Sequence, residues 1–360
     1  MKVLQCLLAG SAVAQKSASY DGEIVIEAVI ESKEHFDTLV DINNKHFLDF
    51  WYPDSLARIK LNDSFQARVT KEDKHDVLRE IHMSGMNYRI MHSNLDQMIA
   101  DSAAESSKVQ HSQAINRFED SHLQYDYFKY HNMEDIYEWS DQIAQLDGVE
   151  KKVIGKSWED RDLFVLVIDD VSGMKNPHKV FVDCGIHARE WVSHAFCQYL
   201  VGQLVDDTSS KFGFMRNGVE WHIMPVVNPD GYEFTHTHDR FWRKNRNPNT
   251  DAKTRASQIE SGAYMSGCGE YRGIGVDLNR NYDAMWRLGD PMVGASKWCT
   301  DDSYQGASAF SEPETRAHSE YILSVKPEAY LTMHSYAEVI LFPYTYAIDA
   351  PRPHNYLGTV

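Results

Sequence analysis

Hydrophobic and polar positions divide the chain into two regions with different predicted secondary structure. Between residues 20 and 95, apolar and polar residues alternate along Glu23–Ile30, which predicts a half-buried strand. Other elements predicted there are helices at Glu34–Asn43 and Lys71–Met83 and strands at Phe50–Tyr52, Phe65–Val69 and Tyr88–Met91. The resulting order, strand-helix-strand-strand-helix-strand, predicts a small α+β domain.

From about Tyr125 onward, the predicted strands are continuous apolar runs. Leu163–Ile168 and Lys179–Asp183 carry apolar residues on both faces, which is typical of a sheet covered by helices on both sides. The other predicted elements are helices at Met133–Leu146, Trp191–Val205 and Glu312–Val325 and buried strands at Trp221–Val227 and Ala329–Met333. This alternation predicts an α/β domain.

Leu95–Arg117 joins the two regions and has a different composition. It is rich in Asp, Ser, Ala and Gln and offers no clear apolar face to bury, so we predict a connecting helix or an exposed linker. Arg117 lies at its end, directly before Phe118. A basic residue in an exposed linker is a candidate cleavage site for a trypsin-like protease, although an ordinary solvated Arg gives the same pattern.

Composition and charge narrow the class of protein. A chain of 360 residues suits two domains, and a net charge of −17 argues against a basic patch that could meet the phosphates of nucleic acid. After the N-terminus, no apolar run reaches the length of about 18 residues that a membrane-spanning helix needs. We therefore expect no nucleic-acid partner and no membrane span.

The N-terminus has the features of a short secretory signal. Lys2 precedes an apolar stretch, and Ala12–Ala14 offers a cleavage site with small residues. Gln5 and Cys6 interrupt the stretch, so an ordinary N-terminal segment is the alternative. We expect residues 1–14 to be a signal peptide and the protein to be extracellular.

A candidate metal site follows the strand Lys179–Asp183. His187 and Glu190 are three residues apart, and imidazole with carboxylate suits a catalytic zinc ion that has a third protein ligand. This pair alone is weak evidence, because the spacing is common. On a straight helix, His194 would lie about 10.5 Å along the axis from His187, so we interpret it as a surface or packing histidine. His334 follows a strand and is the better third ligand.

Two further clusters could bind a substrate. Asn279 and Arg280 together offer an amide and a guanidinium that can hold a carboxylate, although a capped surface turn is the alternative. Arg243 could stabilise an oxyanion beside a metal, or it could belong to a solvated basic loop. Asn228–Tyr232 (NPDGY) we interpret as turn chemistry with a scaffold role.

Several motifs together resemble one protein family. GIHAREW, NPDGY, FWRKNR, GVDLNRN, FSEPET and HSY stand in the same order as in zinc metallocarboxypeptidases of the pancreatic A/B type. The similarity runs from about Tyr20 to the end and includes an activation segment. It implies an α/β fold with a mixed, mostly parallel central sheet flanked by helices, preceded by a small ferredoxin-like prodomain.

The resemblance also implies roles for individual residues and the chemistry of a carboxypeptidase. One Zn²⁺ would activate a water that hydrolyses the C-terminal peptide bond and releases single amino acids. The implied roles are zinc ligation by His187, Glu190 and His334, oxyanion stabilisation by Arg243, binding of the substrate's terminal carboxylate by Asn279 and Arg280, and a contact with the residues upstream of the scissile bond by Tyr336.

A zymogen organisation is implied as well. Residues 20–95 would be an inhibitory prodomain, 96–117 a connecting segment cleaved near Arg117 by a trypsin-like protease, and 118–360 the catalytic domain. The partners expected are peptide or protein C-termini and the activating protease, and the protein is expected to be a monomer.

Four cysteines remain once Cys6 leaves with the signal, and the sequence alone allows three pairings. The resemblance implies a Cys184–Cys197 disulfide, as in B-type members, and a Cys268–Cys299 disulfide. Free thiols are the alternative, which export makes less favourable.

One departure from the family pattern concerns the end of the chain. The family's general-base Glu and its specificity-pocket floor lie well after HSY, whereas this sequence ends at Val360, and Glu338 follows HSY too closely to be that base. We interpret the sequence as truncated or incomplete and expect doubtful activity from this chain alone. The alternatives are a non-catalytic zinc-binding relative and a prosegment-type inhibitor of carboxypeptidases. An endoprotease lacks support because no H-E-x-x-H motif is present, and the preference between A-type and B-type substrates stays open.

Overall fold

The computed structural model describes residues 19–46, 48–53, 56–108, 125–206, 214–249, 273–284, 286, 294–336 and 339–341. The predicted signal peptide, the predicted cleavage site at Arg117 and the cysteine Cys268 lie outside these ranges. Within them, no helix is both long and apolar enough to cross a membrane.

The first domain has the element order predicted from the sequence. Its elements are β1 (Ile24–Val29), α1 (Lys33–Lys45), β2 (Leu48–Tyr52), β3 (Ser64–Val69), α2 (Lys74–Ser84) and β4 (Tyr88–His92). The strands form an antiparallel sheet in the order β2-β3-β1-β4, which is the ferredoxin-like arrangement expected. A further helix, α3 (Leu95–Lys108), follows.

Alternation along β1 and β3 gives the first sheet two different faces. Ile24 and Ile26 are fully buried and, with Ala67, belong to the core shared with α1 and α2. The other face carries the intervening residues, such as Arg68, which approaches the second domain. Ser32 caps α1 by accepting a hydrogen bond from the backbone N–H of His35 at 3.1 Å.

The second domain is a mixed sheet with helices on both sides. Its elements are α4 (Met133–Ile143), β5 (Val149–Lys156), β6 (Asp162–Ile168), β7 (His178–Cys184), α5 (Trp191–Val205), β8 (Val219–Met224), α6 (Pro229–Thr237), α7 (Pro313–Val325) and β9 (Ala329–Met333). The order is β5-β6-β8-β7-β9. β7 is parallel to β8 and β9, and β6 is antiparallel to β5 and β8.

Strand β6 shows why this sheet produces continuous apolar runs. Phe164, Leu166 and Ile168 belong to the core that includes α4 and α5. The alternate residues Leu163 and Val165 belong to a second core on the other face, against α7. Both faces are therefore covered, and every residue from 163 to 168 is buried.

Two predictions about individual elements need correction, and one strand was not predicted. Strand β5 was not expected, because its residues alternate irregularly between charged and apolar. The NPDGY segment forms the first turn of α6 rather than a turn alone, and the side chain of Asn228 caps it by accepting from the N–H of Gly231 at 3.0 Å. Strand β9 is not buried: Tyr330 and Leu331 are 50% and 46% exposed, since β9 is an edge of the described sheet.

A buried pair of carboxylates joins α7 to the loop after Trp242. Glu312 and Glu314 are both fully buried, and the amide of Asn245 donates to Glu312 at 2.8 Å and to Glu314 at 3.1 Å. Burial and the nearby charge of Glu312 raise the pKa of Glu314 to about 8. Glu314 is therefore mostly protonated at neutral pH in the folded protein.

This protonation predicts how stability depends on pH. Unfolded Glu314 would lose its proton near pH 4.3, but the folded protein keeps it up to about pH 8. Between these values the folded state binds more protons, so its contribution lowers the free energy of unfolding as pH rises. We expect Glu314→Gln to flatten the pH dependence between pH 5 and pH 8, measured by urea unfolding. Glu320→Gln, on an exposed position of α7, should keep the parental slope, and an unchanged slope in Glu314→Gln would contradict the expectation.

Candidate metal centre

Two neighbouring strands deliver the predicted ligands to one edge of the sheet. β7 and β9 are parallel, and Cys184 pairs with Met333 at their carboxyl ends. The loop carrying His187 and Glu190 begins directly after Cys184, and His334 directly follows Met333. Because parallel strands end together, residues far apart in sequence meet here.

The three predicted metal ligands form one compact cluster. His187, Glu190 and His334 each offer one ligand atom within 4.8 Å of the others. Nδ1 of His187 lies 2.7 Å from Glu190 Oε1, and Nδ1 of His334 lies 2.9 Å from Glu190 Oε2. Among the described residues, this is the one group of three or more such side chains that could hold a metal. Two imidazoles and one carboxylate are the ligand set of several catalytic zinc sites.

The electrostatics of the cluster favour an ionised Glu190. Burial by itself would raise the pKa of this carboxyl, since Glu190 is only 6% exposed. The charges and hydrogen bonds of His187 and His334 outweigh burial and hold the pKa below its usual value. The carboxylate is therefore in the form that can ligate a cation.

Asp277 supports the cluster from behind, a role that the sequence analysis missed. Its Oδ1 accepts from His187 Nε2 at 3.1 Å, and its Oδ2 accepts from Arg243 Nε at 3.2 Å and Nη2 at 3.0 Å. Asp277 is fully buried, yet the neighbouring Arg243 and His187 hold its pKa well below the usual value against the effect of burial. A hydrogen bond to Nε2 leaves Nδ1 of His187 as the nitrogen available to a metal.

Arg243, the predicted oxyanion-stabilising residue, lies at the edge of the candidate ligand set. Its guanidinium is 5% exposed, and Nη1 lies 3.9 Å from Glu190 Oε1. The backbone carbonyl of Arg243 accepts from the N–H of Ala188 at 3.0 Å, which ties its loop to the ligand loop. A buried cation here is placed to interact with negative charge that develops beside a metal.

The predicted carboxylate fork lies in the short helical turn Leu278–Arg280. The amide of Asn279 approaches His334 Nε2 at 3.5 Å, so this residue reaches the ligand cluster. Arg280 donates from Nε to the carbonyl of Gly294 at 2.8 Å, which orients its guanidinium. Both residues are more exposed than Asp277, which starts the same turn.

The first domain contacts residues that are close in sequence to the candidate ligands. Tyr336, predicted to contact substrate, donates its hydroxyl to Gln66 of β3. Arg189, between two of the ligands in sequence, donates from Nη1 to Asp49 of β2 at 2.8 Å and lies 3.5 Å from Asp302. The first domain thus contacts side chains on both sides of the candidate ligands.

His194 is not part of the candidate ligand set, but the helical spacing is not the reason, because His187 lies in the loop before α5 and not on one helix with His194. It is fully buried rather than on the surface, and Nδ1 lies 3.1 Å from the backbone carbonyl of Glu190. Burial lowers its pKa to about 3, so the ring is neutral. Its position behind the loop is a packing position.

The cysteines lie close to this edge of the sheet. Cys184 and Cys197 form a disulfide that links the end of β7 to α5. Cys299 is buried and also disulfide-bonded; its predicted partner Cys268 lies outside the described residues.

Comparisons with known proteins find relatives of both domains. The family model for zinc carboxypeptidase matches residues 136–357, and that for the carboxypeptidase activation peptide matches residues 26–102. Carboxypeptidase B of Rattus norvegicus is 34% identical over 97% of this chain and 77% of its own length. Mast cell carboxypeptidase A of Homo sapiens is 31% identical over 99% of this chain and 78% of its own. The crystal structure of thrombin activatable fibrinolysis inhibitor has a TM-score of 0.74 at 27% identity, over 93% of this chain and 77% of that one.

These matches confirm the fold and the family expected from the motifs. The activation-peptide match begins within β1 and ends within α3, so it includes most of the first domain. The zinc carboxypeptidase match begins within α4 and includes every candidate ligand.

We expect a large loss of stability when the charge of Asp277 is removed, because Asp277 and Arg243 form a buried ion pair. Asp277→Asn leaves the guanidinium facing a neutral amide, and breaking a buried ion pair from one side costs about 3–5 kcal/mol. We expect a decrease of this order in the free energy of unfolding, measured by denaturant titration of the zinc-free protein. Asp283→Asn, at an exposed position nearby, should change it little. A value for Asp277→Asn equal to that of the control would show that the pair has no structural role.

Proposed function

The chain belongs to the zinc carboxypeptidase family, and we propose that it is the precursor of a secreted enzyme that releases single amino acids from peptide C-termini. The observation that carries the proposal is the meeting of His187, Glu190 and His334 at one edge of the sheet, beside Arg243 and Asn279. These residues come from four separated segments, and packing alone gives no reason for two imidazoles to share one buried carboxylate.

We assign the ligand cluster to one zinc ion, for which the donor set is suitable. Bound zinc would supply a Lewis acid that lowers the pKa of water and polarises a carbonyl oxygen. The protein's own contribution is to hold Glu190 ionised and to orient the ring of His187 through the contact of its Nε2 with Asp277.

The charged residues beside the cluster give a reason for exopeptidase action. Arg280 and Asn279 would bind the terminal α-carboxylate of a peptide, a backbone group that is present only at the C-terminal end of a chain. Arg243, buried at the edge of the ligand set, would stabilise the oxyanion of the scissile carbonyl. Tyr336 would contact the residues upstream of the scissile bond.

We propose that the first domain is an inhibitory prodomain of residues 20–95, joined by residues 96–117 to the catalytic domain. Its contacts with Arg189 and Tyr336, which are close in sequence to the candidate ligands, and its match to carboxypeptidase activation peptides support the role. A trypsin-like protease that cleaves near Arg117 would then release it.

An extracellular location fits the chemistry of the second domain. The Cys184–Cys197 disulfide is a bond that persists in oxidising compartments and is rare in the cytosol. The signal-like residues 1–14 give the route of export, and we propose that the secreted enzyme acts as a monomer.

The function is tested on the secreted precursor after trypsin treatment. We expect one zinc ion per chain by elemental analysis and release of single residues from peptides with free C-termini. Amidated versions of the same peptides should resist, because they lack the terminal charge. Peptides ending in Lys and in Phe, compared in parallel, would report the substrate class. Cleavage of amidated peptides, or zinc content that is unchanged in Glu190→Gln, would contradict the proposal.

If the first domain restricts access to the zinc site, removal of the Asp49 charge should make the site more accessible. Asp49→Asn leaves the partly buried guanidinium of Arg189 without its ionised partner on β2, and truncating one side of a buried interfacial pair costs about 2–5 kcal/mol. We expect a small chelator to remove zinc from the uncleaved precursor roughly tenfold faster or more. Asp41→Asn, on the exposed side of α1, should leave the rate unchanged. An equal rate in Asp49→Asn and in the unmodified precursor would show that this contact does not hold the domains together.

A further inference from the structure

His194 contacts the back of the loop that carries two of the candidate ligands. It lies in the first turn of α5, and its Nδ1 is 3.1 Å from the backbone carbonyl oxygen of Glu190. A carbonyl can only accept a hydrogen bond, so Nδ1 carries the proton and donates. The imidazole therefore holds the backbone of Glu190 without taking part in the ligand set.

The carbonyl of Glu190 is held by more than one group. The backbone N–H of Ser193 donates to it at 3.0 Å and the hydroxyl of Ser193 at 2.8 Å. The same hydroxyl accepts from the N–H of Gly185 at 3.2 Å. Ser193 and His194 thus connect the two ends of the loop from Gly185 to Glu190.

The ring of His194 also packs directly on the start of the loop. Gly185 has a φ of +69°, and a Cβ built on it would lie only 2.2 Å from His194 Nε2. The imidazole therefore fills the space that a side chain at position 185 would need. One ring touches both ends of the loop, with His187 between them.

The ring itself has little freedom to move. It stacks on Tyr232 with ring centroids 4.0 Å apart and an interplanar angle of 20°. The hydroxyl of Tyr232 donates to the carbonyl of His131 at 2.6 Å, which fixes the stacking partner in turn. His194 is therefore a rigid support on one side of the loop.

We propose that His194 is a positioning residue, which holds the loop from Gly185 to Glu190 in the arrangement that the candidate zinc site requires. This inference rests on the zinc site proposed above and assigns no metal contact to His194. Because the loop is ordered when the protein folds, binding the ion requires little further ordering, and removal of the support should weaken the ion's binding. Partners outside the ligand set commonly change metal affinity by about 10–100-fold.

Two variants whose side chains have the same shape separate the effect of the hydrogen bond on zinc binding from the effect of the packing of the ring. In His194→Asn, the amide nitrogen occupies the same bond position as Nδ1 and can donate to Glu190, whereas His194→Leu has a similar shape but no donor. We expect the zinc dissociation constant, measured by competition with a chelator, to rise roughly tenfold in His194→Leu. His194→Asn should recover most of this loss.

The controls distinguish a positioning role from general destabilisation. Urea unfolding of the zinc-free variants should show both of them folded. His238→Leu removes another imidazole that stacks on a neighbouring aromatic ring, that of Phe234, and should leave zinc affinity unchanged. Equal zinc affinities of His194→Leu and His194→Asn, or a parental affinity in His194→Leu, would overturn the proposal. If the parent and Glu190→Gln bind zinc equally, the zinc site itself is wrong, and the inference falls with it.

Discussion

The buried carboxylate of Asp277 is the interaction on which the arrangement of the candidate site depends. It accepts hydrogen bonds from His187, from Arg243 and from the backbone N–H of Asn279. A buried charge is tolerated only when it is paired and hydrogen-bonded, so these groups must stay together in the folded protein. One carboxylate thus sets the orientation of a candidate ligand, of a candidate oxyanion-binding cation and of the turn that carries the carboxylate fork.

The sheet supplies the second constraint, because it decides which segments can reach Asp277. β7 and β9 are parallel neighbours, so the loop after Cys184 and the residue after Met333 emerge at the same edge. The disulfide from Cys184 to Cys197 and the packing of His194 then fix the loop against α5. The order of the strands brings these segments to the same edge of the sheet. The buried polar contacts then fix the distances between the side chains of the candidate site to within a few ångströms.

Sequence patterns were sufficient to predict most of the elements and to name the candidate ligands, but not the groups that support those ligands. The helix Trp191–Val205 and the strand Ala329–Met333 have the bounds predicted from periodicity, and the position of His334 at a strand end identified it as a ligand candidate. Strand β5 was missed because its mixed charged and apolar residues lie half-buried at a sheet edge. Asp277 was missed for a different reason: its partners are distant in sequence, and no spacing rule connects them.

The contact between the two domains, like the candidate site, depends on pairing a charged group that is shielded from water. Arg189 is a partly buried cation that needs a carboxylate, and it lies near one from each domain, Asp49 at 2.8 Å and Asp302 at 3.5 Å. A buried ion pair contributes little net affinity once the loss of hydration is counted, but it penalises any wrong arrangement strongly. The attraction must therefore come largely from apolar contacts, and the rings of Tyr20 and Trp51 pack on Phe241 with centroids 4.8 and 5.1 Å away. Aromatic packing thus accounts for most of the attraction between the domains, while the ion pair of Arg189, next to Glu190 in sequence, fixes which residues of the two domains meet.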